Sequence, residues 1–288
     1  MQAGFHFWNY TVPGAPATLP SVIAETARTA EEGGFAQFTV MDHWFQMEAA
    51  APASEPMLEA YTTLGFVAGQ TSKMRIGPLV VGVTYRHPGL LVKTATTLDV
   101  LSGGRSMLGI GAAWYEREHH ALGVPYPAIS ERFERLEEAL QIAQQMWSDD
   151  DGPFEGTHYT LGETLASPPP VSRPHPPIMI GGKGEKKTLR LAAQYAQIVN
   201  LTTSSPHEVK HLLDVLRAHC DRLGTDYDAI EKTVMAARGN PFEPAFLDDV
   251  KRLSDLGVTM VVLGVRPPDP VDWAKRLADD VVPALAAL

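Results

Sequence analysis

Short runs of apolar residues alternate with longer amphipathic stretches along the whole chain, and the two periods predict different elements. Residues 5–8, 38–41, 76–83, 107–110, 177–180, 197–200, 233–236 and 258–265 read as strands. Apolar positions at helical spacing cover 19–32, 56–71, 88–101, 131–147, 185–195, 206–223, 245–256 and 272–285. In the fourth of these, Leu136, Leu140, Ala143 and Trp147 form one stripe, the mark of a helix packed on a core. Pro56, Pro88 and Pro206 stand near helix starts, where a missing N–H costs nothing. Gly33-Gly34, Ser102-Gly103-Gly104 and Gly257 end the helices before them. A hairpin is expected over 154–161.

Eight apolar strands, each followed by a helix, in a chain of 288 residues predict a (β/α)8 TIM barrel. Continuous apolar strands suit a parallel sheet covered on both faces. An open doubly wound sheet is the alternative, although it normally uses fewer strands before a second domain begins. One domain is expected over 1–288, with an excursion at about 148–176 between the fourth and fifth strands. The Pro-rich stretch 167–177 reads as a rigid rim connection, because the alternation resumes directly after it.

A formal net charge of −10 leaves no basic footprint for nucleic acid. An anionic cofactor would have to be held by local amides and a few cations. The single cysteine, Cys220, excludes an intramolecular disulfide and a CxxC metal site, and its polar helical surroundings predict a surface thiol. Apolar sequence directly after Met1, with no basic leader and no run of about 18 apolar residues, predicts a cytoplasmic protein without a membrane span.

In a barrel the chemistry stands at the C-terminal ends of the strands. Those positions hold Trp8, Asn9 and Tyr10, then Asp42, His43, Trp44 and Phe45, then Thr84 to His87. Further on they hold Gly111, Ala112, Ala113 and Trp114, then Gly181 and Gly182, then Asn200 and Arg266. The aromatic surface suits a flat ring system. The stretch 105–123 is the most telling, because its apolar run breaks at Gly109 and Gly111 before a polar helical start. Such a turn can offer bare N–H groups to a phosphate; close packing of a helix on a strand uses the same residues. Gly181-Gly182-Lys183-Gly184 repeats the arrangement, with Lys183 open to phosphate contact or to plain solvation. Trp114 occupies the place of the third glycine of a dinucleotide fingerprint, so the two turns read as halves of a split clamp.

Asp42-His43 is the best chemical candidate. A histidine exchanges protons near neutral pH, and the adjacent carboxylate can bond the polar edge of a heterocycle. A helix-capping Asp beside a packed His is the plainer reading. His119-His120 suggest solvent exposure or a supporting role, His87 a turn before Pro88, and Arg105 a structural post at the barrel bottom. Glu116 and Glu118 fall in the first turns of a helix, where acids are favoured anyway. The first strand ends His6-Phe7-Trp8 rather than His-x-His, and no predicted strand holds an internal lysine. Neither a binuclear metal centre nor a Schiff base is therefore expected, and no metal site is assigned.

The segments 39–46 (TVMDHWFQ), 82–88 (GVTYRHP), 98–105 (LDVLSGGR), 105–123 and 177–190 (PIMIGGKGEKKTLR) together resemble the bacterial luciferase-like monooxygenase superfamily. The likeness runs over essentially the whole chain and is greatest to the coenzyme F420-dependent oxidoreductases. It implies a (β/α)8 barrel with a deazaflavin or flavin across its mouth. Gly111, Ala112 and Ala113 should then cradle phosphate or ribityl oxygens, with Gly181, Gly182 and Lys183 on the other side. Asp42 should face the polar edge of the ring, and His43 should be the catalytic histidine. A non-prolyl cis peptide should fall among Pro78, Leu79 and Val80, behind the ring. Trp8, Trp44, Phe45 and Trp114 are candidate walls of an apolar substrate pocket. The F420-dependent sugar-phosphate dehydrogenases of the superfamily carry a glutamate near the position of Trp114, which argues against the same chemistry here. The resemblance thus implies hydride transfer between F420 and a small apolar or aromatic substrate. An FMN-dependent monooxygenase fed by a reductase, or a non-catalytic flavin- or deazaflavin-binding barrel, are the alternatives. A homodimer is the family expectation, with a flavin or F420 reductase as a further partner.

Overall fold

The apolar runs assemble into one row of parallel strands in the computed structural model, which describes residues 1–236 and 239–288. The strands are β1 (Gln2–Phe7), β2 (Gln37–Val40), β3 (Arg75–Pro78), β4 (Val81–Gly82) and β5 (Leu108–Gly111). A separate antiparallel pair, β6 (Phe154–Glu155) and β7 (Thr160–Leu161), forms the expected hairpin. The row continues with β8 (Ile178–Gly181), β9 (Ile198–Leu201), β10 (Glu231–Ala236) and β11 (Met260–Gly264). Its order is β3-β2-β1-β11-β10-β9-β8-β5-β4. The expected strand over 76–83 is broken at Leu79–Val80, so β3 and β4 share one barrel position and the row fills eight. Its ends meet: Ile76 N–H donates to Arg105 O and Met107 N–H to Ile76 O, both at 2.9 Å. This closure makes the sheet a (β/α)8 TIM barrel and excludes the open doubly wound arrangement.

Successive strand residues point to opposite faces of a sheet. Met179 therefore joins an inner cluster with Leu79, Met107, Ile198, Met260 and Val262, while Ile178 and Ile180 join the larger cluster beneath the helices. The helices are α1 (Leu19–Glu32), α2 (Ala60–Ala68), α3 (Pro88–Ser102), α4 (Glu116–Leu122) and α5 (Ile129–Met146). They continue with α6 (Thr188–Tyr195), α7 (Pro206–Leu223), α8 (Pro244–Asp255), α9 (Pro270–Arg276) and α10 (Val282–Ala286). Chain neighbours pack on one another, α2 on α3 and α6 on α7, and α1 packs on α9. Glu138 of α5 accepts N–H bonds from Thr157, His158 and Tyr159, which ties down the hairpin in the 148–176 excursion.

Three helices differ from expectation for local reasons. The one expected from 56 begins at Ala60, because the Glu59 side chain caps it by accepting from Tyr61 N and Thr62 N. The one expected from 185 begins at Thr188. The last helix, expected over 272–285, contains a π turn, Leu277–Val281, between α9 and α10. Pro283 has no N–H for the α ladder, and a π turn accommodates such a defect. Cys220 corrects a further expectation. It is fully buried, on the face of α7 shared with Val209, Leu212, Leu213 and Leu216, rather than a surface thiol. Among the described residues no helix is long and apolar enough to cross a membrane.

Candidate active site

The C-terminal ends of β4, β5, β8 and β9 open on a cleft of about 480 Å³. The structure brings His43, Leu79, Val80, Gly111, Ala112, Ala113, Trp114, Gly181 and Gly182 to its walls. The Leu79–Val80 peptide is cis, within the segment where the resemblance places one. Val80 fills the space beside both glycine turns: a Cβ on Gly181 would lie 2.9 Å from its methyl, and one on Gly111 3.1 Å away. Glycine at these two positions keeps a smooth channel across the strand ends. Gly109 has a different reason. A Cβ there would lie 2.0 Å from Pro78 O, so the close passage of two backbones requires it. Packing and ligand access thus divide the broken strand between neighbouring glycines. Ala113 sits in the left-handed region, at φ 61°, with its carbonyl held by Arg132 at 3.3 Å. Helix α4 starts only at Glu116; the helix starts that border the cleft are Ile129 of α5 and Thr188 of α6.

His43 is buried on the cleft wall, and its Nδ1 lies 2.8 Å from Glu118 Oε1. Glu118 is fully buried on α4. It also accepts Trp44 N–H at 2.7 Å, Phe45 N–H at 3.2 Å, and the Tyr85 hydroxyl. Burial alone would raise its pKa, but the bonds from His43 and Tyr85 and the His43 charge bring it below the usual carboxylate value. An ionised carboxylate only accepts, so His43 Nδ1 is the donor and Nε2 is the nitrogen left for chemistry. Burial first, then Glu118, drive the Tyr85 pKa well up, keeping it a neutral phenol. Glu118 therefore does more than favour a helix start: it fixes a tautomer and the backbone after β2 together. Sequence could have flagged it by spacing, since Glu118 lies two residues beyond Glu116 and on another helix face. His119 is buried too, between Tyr115 O and Thr84 Oγ1, while His120 is exposed.

Several expected site residues stand elsewhere. Asp42 is buried, and its carboxylate is occupied by Arg86 at 2.5 and 3.0 Å rather than presented to the cleft. Burial would lower the Arg86 pKa, but Asp42 and Glu59 raise it, so the guanidinium stays charged. Lys183 points away to Glu208, at 2.9 Å. Pro78 ends β3 behind the cleft. Trp44 lies on the Tyr85 ring with centroids 4.3 Å apart, backing the site instead of lining it. Phe45 contributes its N–H to Glu118 and does not border the cleft. Trp8 lines a second cavity. Trp114 reaches the mouth and is 59% exposed.

Asn200 is the clearest sign of a ligand. Its Nδ2 donates to Thr233 Oγ1 at 2.9 Å, and Thr233 Oγ1 donates to Val199 O at 3.0 Å. That chain of donors fixes the amide orientation. Asn200 Oδ1 is left buried without a partner among the described residues, on the cleft wall. A buried acceptor left bare is costly, and a ring N–H would satisfy it. The glycine channel, the bare acceptor and the backing peptide together fit a flat heterocycle with a chain attached.

A model of the luciferase-like monooxygenase family matches residues 5–238. The F420-dependent glucose-6-phosphate dehydrogenase of Nakamurella multipartita is 32% identical over 275 residues, which span 91% of this chain and 76% of that protein. Its counterpart from Kineococcus radiotolerans is 30% identical over 271 residues, with the same shares. The fold is that of the coenzyme F420-dependent tetrahydromethanopterin reductase from Methanopyrus kandleri, at TM-score 0.79 and 18% identity over 99% of this chain and 100% of that one. An F420-dependent secondary alcohol dehydrogenase in complex with an F420-acetone adduct gives TM-score 0.80 and 18% identity, with 99% of each chain covered. The chain belongs to the luciferase-like monooxygenase family, within its branch of F420-dependent oxidoreductases.

Proposed function

We propose that the protein moves hydride between coenzyme F420, held in the cleft, and a small uncharged organic substrate, with His43 handling the accompanying proton. The observation that carries this reading is the bond from His43 Nδ1–H to buried Glu118 on the wall of a glycine-floored cleft. It leaves His43 Nε2 as the group that takes or gives a proton. Gly111, Ala112, Ala113, Gly181 and Gly182 would hold the ribityl and phosphate part, Asn200 Oδ1 would accept from a ring N–H, and Leu79–Val80 would support the ring. When bound, F420 supplies the ring carbon that accepts or gives the hydride. The chain itself orients the partners, excludes water and places one proton at His43 Nε2. A glucose-6-phosphate substrate, as in the curated relatives, is disfavoured: among the described residues no lysine or arginine lines the cofactor cleft, the cavity beside it has only Arg266 on its exposed side, and Trp114 stands at the cleft mouth. A homodimer in the cytoplasm, served by a separate reductase, belongs to the same proposal.

Fluorescence titration with F420 and with FMN tests it. The expected result is micromolar F420 binding with much weaker FMN binding. His43→Ala should bind F420 within about threefold of wild type while losing at least about a hundredfold in turnover. Micromolar FMN binding without F420 binding overturns the proposal in favour of an FMN monooxygenase. F420 binding with no redox activity that His43→Ala abolishes leaves a carrier.

A further inference from the structure

A second cavity, of about 330 Å³, lies beside the cofactor cleft, and Met235 lines both. His6 reaches it from β1, Trp8 and Met41 from directly after β1 and β2, Leu263 from β11, Phe246 from α8 and Trp273 from α9. We propose that this cavity binds the substrate, and that the substrate is an uncharged molecule with a compact apolar body and one hydroxyl apart from the group that reacts, whose O–H donates to His6 Nε2.

The orientation of His6 follows from its neighbours. Giving the single Thr39 hydroxyl hydrogen to Phe5 O, 3.3 Å away, makes Oγ1 the acceptor from His6 Nδ1 at 2.9 Å. His6 is then the Nδ1–H tautomer, and Nε2 carries a lone pair with no partner among the described residues. Burial, then the nearby His43, push the His6 pKa down to about 3, so it remains a neutral acceptor across the working range. The Trp273 indole N–H is already given to Gly264 O at 3.0 Å. Among the described residues the side chains of the deep wall thus offer one acceptor, His6 Nε2, amid aromatic and aliphatic surface. Among the described residues an ammonium would meet no anion on the cavity wall and would lose its hydration. Among the described residues a carboxylate would find a lining cation only in Arg266, whose guanidinium donates to Gly239 O and lies 5.0 Å from the Trp273 ring centroid on the exposed side. A hydroxyl carries the required donor without that penalty. An apolar cavity of about 150 Å³ accommodates benzene, so 330 Å³ has room for a ring with a short substituent.

The role as substrate rests on the proposed function, but binding is measured without cofactor. Benzyl alcohol, toluene and benzoate are titrated into the protein, read by the emission of Trp8 and Trp273 and by calorimetry. Benzyl alcohol should bind about tenfold tighter than toluene, and benzoate more weakly than either. His6→Leu should erase the advantage of the alcohol over toluene. Thr39→Val, which frees the His6 ring to exchange tautomers, should reduce it, and provides a second variant should His6→Leu fold poorly. Equal binding of alcohol and toluene by wild type, tighter binding of benzoate, or an undiminished advantage in both variants overturns the proposal. Failure of wild type to bind F420 would defeat the cofactor reading instead, and leaves the alcohol titration to decide the cavity.

Discussion

Glu118 and Asn200 show how single residues acquire meaning only from their partners. On its helix Glu118 is one acid among several, yet it gathers His43, Tyr85 and the N–H groups of Trp44 and Phe45 on one buried carboxylate. Under the proposed function its effect on the reaction would pass through His43, which would make it a positioning residue. Glu118→Gln keeps the shape but can turn an N–H toward His43 Nδ1 and favour the wrong tautomer. Turnover should fall about a hundredfold while F420 affinity changes less than about threefold. The pH profile of turnover should also shift, which a purely structural role would not produce. Steady-state rates and F420 titration on the same preparation check this; lost affinity with unchanged turnover would assign Glu118 to holding the 42–45 backbone alone. Asp42 illustrates the reverse case. Its motif was legible, but its carboxylate belongs to Arg86, a pairing across 44 positions that no local pattern reveals.

At the scale of elements, the two glycine turns separate fold from site. Gly109→Ala would drive a Cβ into Pro78 O, a backbone atom, at 2.0 Å. Gly181→Ala would meet the Val80 methyl at 2.9 Å, a side chain with some freedom to move. Gly109→Ala should therefore cost about 3 kcal/mol or more of stability, and Gly181→Ala about 1 kcal/mol. F420 affinity should fall about tenfold in Gly181→Ala, whose methyl enters the channel, an energetic cost of about 1.4 kcal/mol. Urea unfolding and F420 titration check the pair, and equal stability losses would refute the assignment. Element positions were largely readable because burial period and end signals are local: α1 and α7 occupy the expected 19–32 and 206–223. The misses have local causes in the cap at Glu59 and the ring of Pro283, and one remote cause. The break at Leu79–Val80 interrupts a stretch whose apolar pattern is continuous.

For the molecule as a whole, the inward-facing His6 predicts how the fold answers acid. In the unfolded chain it titrates at 6.5, in the folded protein at about 3. Between those values the unfolded chain binds the extra proton, so this contribution is complete above pH 6.5 and is lost as pH falls toward 3. Its full size is on the order of 4 to 5 kcal/mol. Glu31 and Glu118, both held below the usual carboxylate value of 4.5, add losses at more acid pH. Urea midpoints measured from pH 7 to 4 should fall steeply in wild type and less in His6→Asn; parallel curves would show that His6 does not carry the effect. The sequence by itself determined eight strands, their helices, the glycine turns and the prominence of His43, because each is written in neighbouring residues and in the 2.0 and 3.6 periods of strand and helix. Only the tertiary structure decided that Asp42 is spent on Arg86, that Lys183 leaves for Glu208, that Trp8 belongs to a second cavity, that Glu118 meets His43, and that Asn200 Oδ1 is buried without a partner among the described residues. Closing the barrel joins strand ends far apart in the chain, and a side chain's role there is set by which donor, acceptor or void the closure puts opposite it.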